Sequence, residues 1–485
     1  MKQVMSLMLF LITFVIGFIG YYNLYGGGYF YPNKRINFVL PEALTNTPTI
    51  LVDNLPVLIE DNILTAISLT TTRPTTITVN GQTQTIRLKR LKKQDVITIN
   101  LIHKNKKKTY FLRTLPISFP HLYVEKQTSI MPSGYVLISF HGLKLQHPSY
   151  SVIMDMVGNV VYYRGNKNPS YSMFHLKKWE LENKKVFYSM HEQDEKSIDT
   201  SWVTGHHLIF DETFNLVDKV QILPTDTHGE LLAEEHEIVV LGEKHYIVIG
   251  YDEERYDNSG KIRVVHAIIQ EQKNGQVVFE WTSKGKPNFV EMCYEKCPQN
   301  CKENADYLHL NAVLIDPKDG HLIVSSASSF SVFKIHRKTG ELLWVLGGKK
   351  DEFNLSKKDL FIRQHHPQIL SDGRLMLFDN GWSSLGNNID KSSDYDLPNR
   401  MARIMFLGLD EQNKKVHVIE KKELGFWAPY MGSVQYLKNE NVFVGCGSSN
   451  ECSARLYDKN MNVLWTLMAE YPYKMYRAYW VRTLN

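Results

Sequence analysis

The pattern that most constrains this chain is a hairpin motif that recurs six times. Each copy has an apolar strand, a turn carrying Asp, Asn or Gly, and a second strand, usually with an aromatic near its end. The copies are VIMDMVGNVVYY from Val152, LIFDETFNLVDKV from Leu208, AIIQEQKNGQVVFEW from Ala267, FKIHRKTGELLWVL from Phe333, FLGLDEQNKKVHVIE from Phe406 and ARLYDKNMNVLWTL from Ala454. Successive copies start about 48 to about 73 residues apart, a period suited to propeller blades with loop insertions. One such unit cannot cover both its faces; stacking against two like neighbours does so. The pattern predicts an all-β chain in which residues 128–485 form a six-bladed β-propeller.

Residues 36–125 also read as β and predict a small β-sandwich before the propeller. Thr75–Val79 and Thr83–Leu88 alternate around Asn80-Gly81, a strong hairpin signal. Val96–Ile102 and Thr109–Leu115 read as a second pair around a lysine-rich turn. With 485 residues, 43% hydrophobic and 22% charged, the composition is that of a globular chain with more than one domain. The net charge of +5 is modest, and the basic runs Arg87–Lys93 and Lys104–Lys108 flank predicted strands. They read as solvated edges, and no nucleic-acid partner is expected.

Residues 1–30 differ. Val4–Leu24 is nearly all apolar and has a length suited to a membrane span. No small-x-small cleavage site follows it, since Tyr21-Tyr22-Asn23 is bulky, so a signal anchor is favoured over a cleaved signal peptide. The expectation is a single-pass, membrane-anchored protein with its globular part in the periplasm or otherwise extracytoplasmic. Five cysteines fit an oxidising compartment. Cys446 and Cys452 bracket a short loop that a disulfide could close. Cys293, Cys297 and Cys301 have a spacing that matches no common zinc pattern and read as one disulfide and a spare thiol.

Three histidines occupy the same phase of the repeat. His236, His309 and His365 are each followed five residues later by a leucine, Leu241, Leu314 and Leu370. The matching position in the last repeat, five before Leu437, is Gly432, so histidine is not the default there. Equivalent repeat positions occupy equivalent places, so the three imidazoles should converge on the axis. Two chemistries suit them. A neutral imidazole can attack an electrophile while fixed donors such as Asn311 bind the negative charge. Three imidazoles can also hold a metal with one position open. His365 is preferred over the adjacent His366 by the count to Leu370. His206 and His207 read as structural residues of a middle strand, and His228 as a loop residue that could cover the channel mouth.

Several separated segments, in order, resemble the bacterial arylsulfate sulfotransferases. They are His309-Leu310-Asn311 with IDPKDGHLIVSS, the turn RKTGELLWVLGG, Gln364-His365 leading to DGRLMLFDNG, and Tyr476-Arg477-Ala478 near the end. The resemblance spans about 360 residues of propeller and includes the preceding β-sandwich. It implies a ping-pong transfer of a sulfuryl group from an aryl sulfate to a phenolic acceptor, without a nucleotide donor, cofactor or metal, and a dimeric state. By position, it implies that His365 becomes transiently sulfated. His309 and Asn311 would bind the sulfuryl oxygens and assist proton transfer, and His236 would complete the site.

One position departs from the family. Its arginine after the Ser-Ser strand end is replaced here by Ala327. Losing such a clamp on a sulfate costs about 2–5 kcal/mol of charge-paired binding. Arg363, on the face of His365 if the stretch is extended, and Arg403 are the candidate replacements. Ala327 also supports an alternative: a catalytically altered propeller that binds a ligand or protein partner without turnover.

Overall fold

The computed structural model describes residues 119–484, apart from 127–132, 143–146, 159, 167, 169, 198–202, 213, 256–262, 295–303 and 383–398. Before residue 119 it describes only the course of the strands. All six predicted hairpins are present. In residue order they pair Tyr150–Asp155 with Val160–Gly165, Thr204–Asp211 with Leu216–Val220, and Arg263–Lys273 with Gln276–Thr282. The remaining three pair Ser331–Ile335 with Leu342–Gly347, Arg403–Asp410 with Lys415–Glu423, and Ala454–Tyr457 with Val463–Ala469.

Each hairpin forms the outer half of a meander whose first strand lies nearest the axis. The burial pattern follows that layering. Leu322–Ser326 and Ser331–Ile335, in the middle of their sheet, are buried throughout. Lys415–Glu423, on an outer edge, largely alternates between covered and solvated positions. The first strands neighbour one another in a closed circuit: Met173–Glu180, Ala233–Gly242, Leu310–Ile315, His365–Ile369, Ser433–Tyr436, Tyr473–Val481, and back to Met173–Glu180. The arrangement is a β-propeller.

The expectation of six separate blades needs correction. Four sheets stand as separate blades, and the strands between Met173 and Thr282 form one nine-stranded sheet with the short strand Asn304–Ala305. The join is local. Thr204 and Gly205 pair with Glu234 and Ala233, while the rest of that strand pairs with its own hairpin partner. On its other side the same strand packs closely against its own meander, since a Cβ at Gly205 would collide with the Glu192 carbonyl oxygen.

Both ends of the ring are tied across its seam. The last strand, Tyr473–Val481, pairs antiparallel with Tyr135–Gly142 and becomes the innermost strand of the first blade. Leu122–Lys126 pairs with Val463–Ala469 and adds a fifth, outermost strand to the last blade. Closure in both directions leaves no open gap between the first and last blades.

The aromatic near each hairpin's end also acquires a cause. Trp344 Nε1 donates to Glu411 in the following blade at 2.8 Å, and Trp465 Nε1 donates to the Met156 carbonyl of the first blade at 2.8 Å. Trp281 stands against Phe333 of the next blade. All three are almost fully buried. Burying an indole removes about 200 Å² from water, roughly 5 kcal/mol of gross hydrophobic stabilisation per blade contact.

Ahead of the ring, the strands form two sheets. One contains Pro32–Val39, Val96–His103, Lys106–Arg113, Ile63–Thr65 and Leu58–Glu60. The other contains Leu55–Pro56, Ile50–Val52, Pro74–Val79 and Gln82–Arg87. The Asn80-Gly81 hairpin is in the predicted register. In the second hairpin His103 pairs with Lys106, so Lys106–Lys108 belong to its strand. The apolar segment Val4–Leu24 lies outside the described residues. Among those described, no helix is long and apolar enough to cross a membrane. Cys446 and Cys452 are joined in a disulfide. Cys293 is also disulfide-bonded, while Cys297 and Cys301 lie outside the described residues.

Candidate active site

The first strands bring the three in-phase histidines together. The His236 and His309 rings meet edge to face at a centroid distance of 5.0 Å, and the His236 and His365 rings are 6.5 Å apart. All three are buried. The glycine at the matching position of the last repeat is demanded by packing. Gly432 has φ +111°, and a Cβ there would press on the Phe378 ring at 2.8 Å.

Each imidazole is held by its Nδ1. His365 Nδ1 lies 2.8 Å from Asn380 Oδ1 and 2.9 Å from the Arg363 carbonyl oxygen. The amide of Asn380 cannot be reversed without loss, because its Nδ2 donates to the carbonyls of Ala428 at 2.6 Å and Met431 at 2.9 Å. Two acceptors therefore face His365 Nδ1. It must carry the proton, and Nε2 keeps its lone pair. Burial first, then the charge of His236, holds the His365 pKa well below the ordinary imidazole value. The neutral, nucleophilic form is thus favoured at neutral pH.

Carboxylates hold the other two rings. Asp306 accepts both the backbone N–H of His309 at 2.8 Å and its ring Nδ1–H at 2.6 Å. His309 has a left-handed φ of +47°, which lets backbone and ring face the same carboxylate. Glu234 likewise engages the backbone N–H of His236 at 2.9 Å, together with its ring Nδ1. Burial lowers both pKa values; Asp306 opposes the shift at His309, and Glu235 opposes it at His236. Among the described residues, none of the three Nε2 atoms hydrogen-bonds to protein, so each remains open to a ligand.

Asn311 is fully buried. Its Nδ2 donates to the Gln364 carbonyl at 2.7 Å, and its own carbonyl accepts from Arg477 at 2.5 Å. It therefore ties the strand of His309 to the residue preceding His365. The position of the missing arginine adjoins the cluster, since the Ala327 N–H donates to the His309 carbonyl at 2.9 Å. Arg363 does not reach the site by strand alternation. The strand begins only at His365, and Arg363 has a left-handed φ of +52°. Its charge contributes to the lowered His309 pKa. Arg403 is not brought to the cluster. It is buried against Asp379 at 2.8 Å and bonds the Leu360 carbonyl at 2.9 Å.

The cation that does stand beside the cluster is Arg477. It is fully buried, donates to Glu237 at 2.6 Å, and lowers the pKa of both His236 and His365. Its neighbour Tyr476 packs edge to face on His236 at 5.4 Å and donates to the His236 carbonyl at 2.9 Å. The triplet Tyr476-Arg477-Ala478 was visible in the sequence. Its place beside the histidines follows only from the closing strand. Asn380, Asp306 and Glu234 are the other residues that sequence reasoning missed. An acid two or three positions ahead of two in-phase histidines was the signal that could have found the carboxylates.

The nearby histidines have other duties. His366 Nδ1 faces the Val434 carbonyl at 2.9 Å and its ring meets Tyr479. His207 Nε2 donates to the Glu234 carbonyl at 2.9 Å. His228 does not cover the channel mouth; it pairs with Glu280 at 3.0 Å, on the outermost strand of its meander. Among the described residues, two groups of carboxylate or imidazole ligands are compact enough to consider for a metal. Asp316, Asp319 and Glu411 surround the Lys334 ammonium at 2.6–2.9 Å, which takes the place a cation would need. Glu234, Glu235 and His236 are bonded among themselves and to the Val203 N–H. Neither group is assigned as a metal centre.

The family model that matches this chain is Arylsulfotransferase (ASST), over residues 123–463. The chain belongs to the arylsulfotransferase family. The match covers well over half of its length, including all three histidines. No curated protein sequence matches the chain significantly. Among solved structures, it is similar to a protein of unknown function from Bacteroides caccae, with 10% identity, a TM-score of 0.42, and coverage of 73% of this chain and 100% of that one. It is also similar to the periplasmic gluconolactonase PpgL of Pseudomonas aeruginosa, with 11% identity, a TM-score of 0.37, and coverage of 72% and 99%.

Proposed function

We propose that this arylsulfotransferase-family protein moves a sulfuryl group from an aryl sulfate to a phenol by a ping-pong reaction through a sulfated His365. The observation that carries the reading is the fixed tautomer of His365. Asn380 and the Arg363 carbonyl hold the proton on Nδ1, which aims the Nε2 lone pair outward. In the first half-reaction Nε2 forms a bond to sulfur and the sulfur–aryl oxygen bond breaks, its electron pair leaving on the phenolic oxygen. In the second, an acceptor phenol attacks sulfur and the pair of the N–S bond returns to Nε2. Dividing the transfer in this way replaces one difficult displacement by two oriented ones.

Charge on the three sulfuryl oxygens has partners within reach. His309 has its ring Nδ1 held by Asp306, and the Arg363 charge acts on that ring. Arg477 supplies a second guanidinium near His365. Ala327, where the family's cation is absent, is the feature that favours a ligand-binding propeller without turnover. A membrane-anchored, extracytoplasmic location belongs to the same proposal, supported by the apolar Val4–Leu24 segment and the disulfides. Dimer formation belongs to it by family resemblance alone.

The test is to incubate purified protein with a chromogenic aryl sulfate and a second phenol, following phenol release and label transfer. Release that depends on the acceptor, a labelled enzyme intermediate, and loss of both in His365→Ala are expected. Stoichiometric binding of aryl sulfates without release would instead favour the binding propeller.

A further inference from the structure

We propose that Glu234 and Glu235 are the proton store of the transfer reaction, exchanging one proton with the phenolic oxygen through the His236 imidazole. The inference rests on the sulfuryl-transfer reading above and adds the group that handles the proton of each phenol.

Consecutive residues of a regular strand point to opposite faces. Here both carboxyls reach one imidazole. The ladder between Ala233–Gly242 and His245–Arg255 is irregular between Ala233 and Ile238, the stretch that contains both glutamates and His236. Bulges of this kind re-aim side chains next to active sites. Glu234 binds the N–H and the ring Nδ1 of His236, and a Glu235 oxygen lies 3.9 Å from the same Nδ1. The other Glu235 oxygen accepts the Val203 N–H at 2.5 Å, and the two carboxyls hydrogen-bond to each other.

Two carboxyls in contact and away from water cannot both stay ionised. Burial raises the pKa of each well above the carboxylate range. Nearby Asp306 pushes Glu234 further up and Arg477 pulls it down. Burial holds His236 itself low, so the proton rests on the acid pair rather than on the ring.

The proton count closes over a cycle. As the S–O bond of the donor breaks, the departing oxygen takes a proton from His236 Nε2, and Nδ1 receives one from the carboxyl pair. As the acceptor oxygen bonds to sulfur, its proton passes to Nε2 and Nδ1 returns one to the pair. His236 contacts the substrate; the glutamates act through it.

Such a store matters most when the leaving phenol is weakly acidic. In the full-length protein, Glu235→Gln should slow sulfuryl release from phenyl sulfate by roughly 10²-fold, while release from p-nitrophenyl sulfate falls less than about 10-fold. The dependence on leaving-group acidity therefore steepens. His236→Asn should steepen it equally, and adding Glu235→Gln to that variant should steepen it no further. A uniform loss across donors, or additive effects in the double variant, overturns the proton store. If Glu235→Gln lacks a cooperative thermal melt, Glu234→Gln carries the same measurement. A wild type that transfers nothing to any phenol would sink the sulfuryl-transfer reading itself. An active wild type with unchanged slopes in the variants sinks the proton store alone.

Discussion

Asn380 sets the tautomer of His365. Its Nδ2 is committed to two carbonyls, so its oxygen must face the imidazole and hold the proton on Nδ1. Removing that acceptor leaves only the Arg363 carbonyl at Nδ1 and weakens the hold on this tautomer. In Asn380→Ala, kcat for aryl sulfate turnover should fall roughly 10²-fold with KM nearly unchanged. An unchanged kcat in Asn380→Ala would show that the residue only supports the loop. Ala327 and Arg477 make the complementary point. One loop lacks the family's cation, while a cation on a strand far away in sequence lowers the pKa of His236 and His365.

At the scale of elements, the inner strands matter through their first residues. Left-handed backbone at His175, His309, Arg363, His366 and Met431 recurs where inner strands begin or are entered. These conformations are costly for residues other than glycine and persist where surrounding structure enforces them. The strand Tyr473–Val481 lies beside two of these strands, Met173–Glu180 and Ser433–Tyr436. It closes the first blade, places Tyr476 against His236 and buries Arg477 beside Glu237. A chain ending at Tyr471 would leave Glu237 buried without that guanidinium, a cost of about 3–5 kcal/mol, and would open the ring seam. The truncated protein is expected to lose its cooperative melt by circular dichroism. A melt like that of the full chain would contradict this role for the strand.

For the whole molecule, burial of imidazoles has a consequence for pH. His175, His191, His207, His236, His309, His365 and His366 all have pKa values lowered by burial, His207 to about 3. In the unfolded chain each returns to about 6.5. Above that pH both states are neutral and the full stability is present. Below it the unfolded state binds protons that the folded state refuses, so stability falls with pH. Each unit of depression is worth about 1.4 kcal/mol per histidine. Glu234 and Glu235, raised by burial, contribute with the opposite sign and lose stability as pH rises above the ordinary carboxyl value. Between about pH 6.5 and 4.5 the histidines outnumber them. The melting temperature by calorimetry should therefore drop steadily from pH 7 to pH 5. A flat profile would show that the rings are less desolvated than their burial implies.

Local pattern was enough for much of this protein. The hairpins, the glycine and asparagine turns and the phase of His236, His309 and His365 are all short-range features, set by alternation and turn chemistry within about 15 residues. They made the propeller legible, and the family resemblance assigned roles. What stayed hidden depended on residues brought together across the ring. The pairing of Thr204-Gly205 with Glu234-Ala233 joins two meanders into one sheet, and no local pattern announces an extra ladder. Arg403 read as a candidate for the site because its charge was visible, whereas Asp379, which claims it, lies on the neighbouring strand. The sequence by itself determined that three imidazoles would face one axis. Only the tertiary structure decided which nitrogen of His365 carries its proton and which cation stands beside it. Hydrogen-bond acceptors and buried charges act through distance in space, and the closing strand sets those distances.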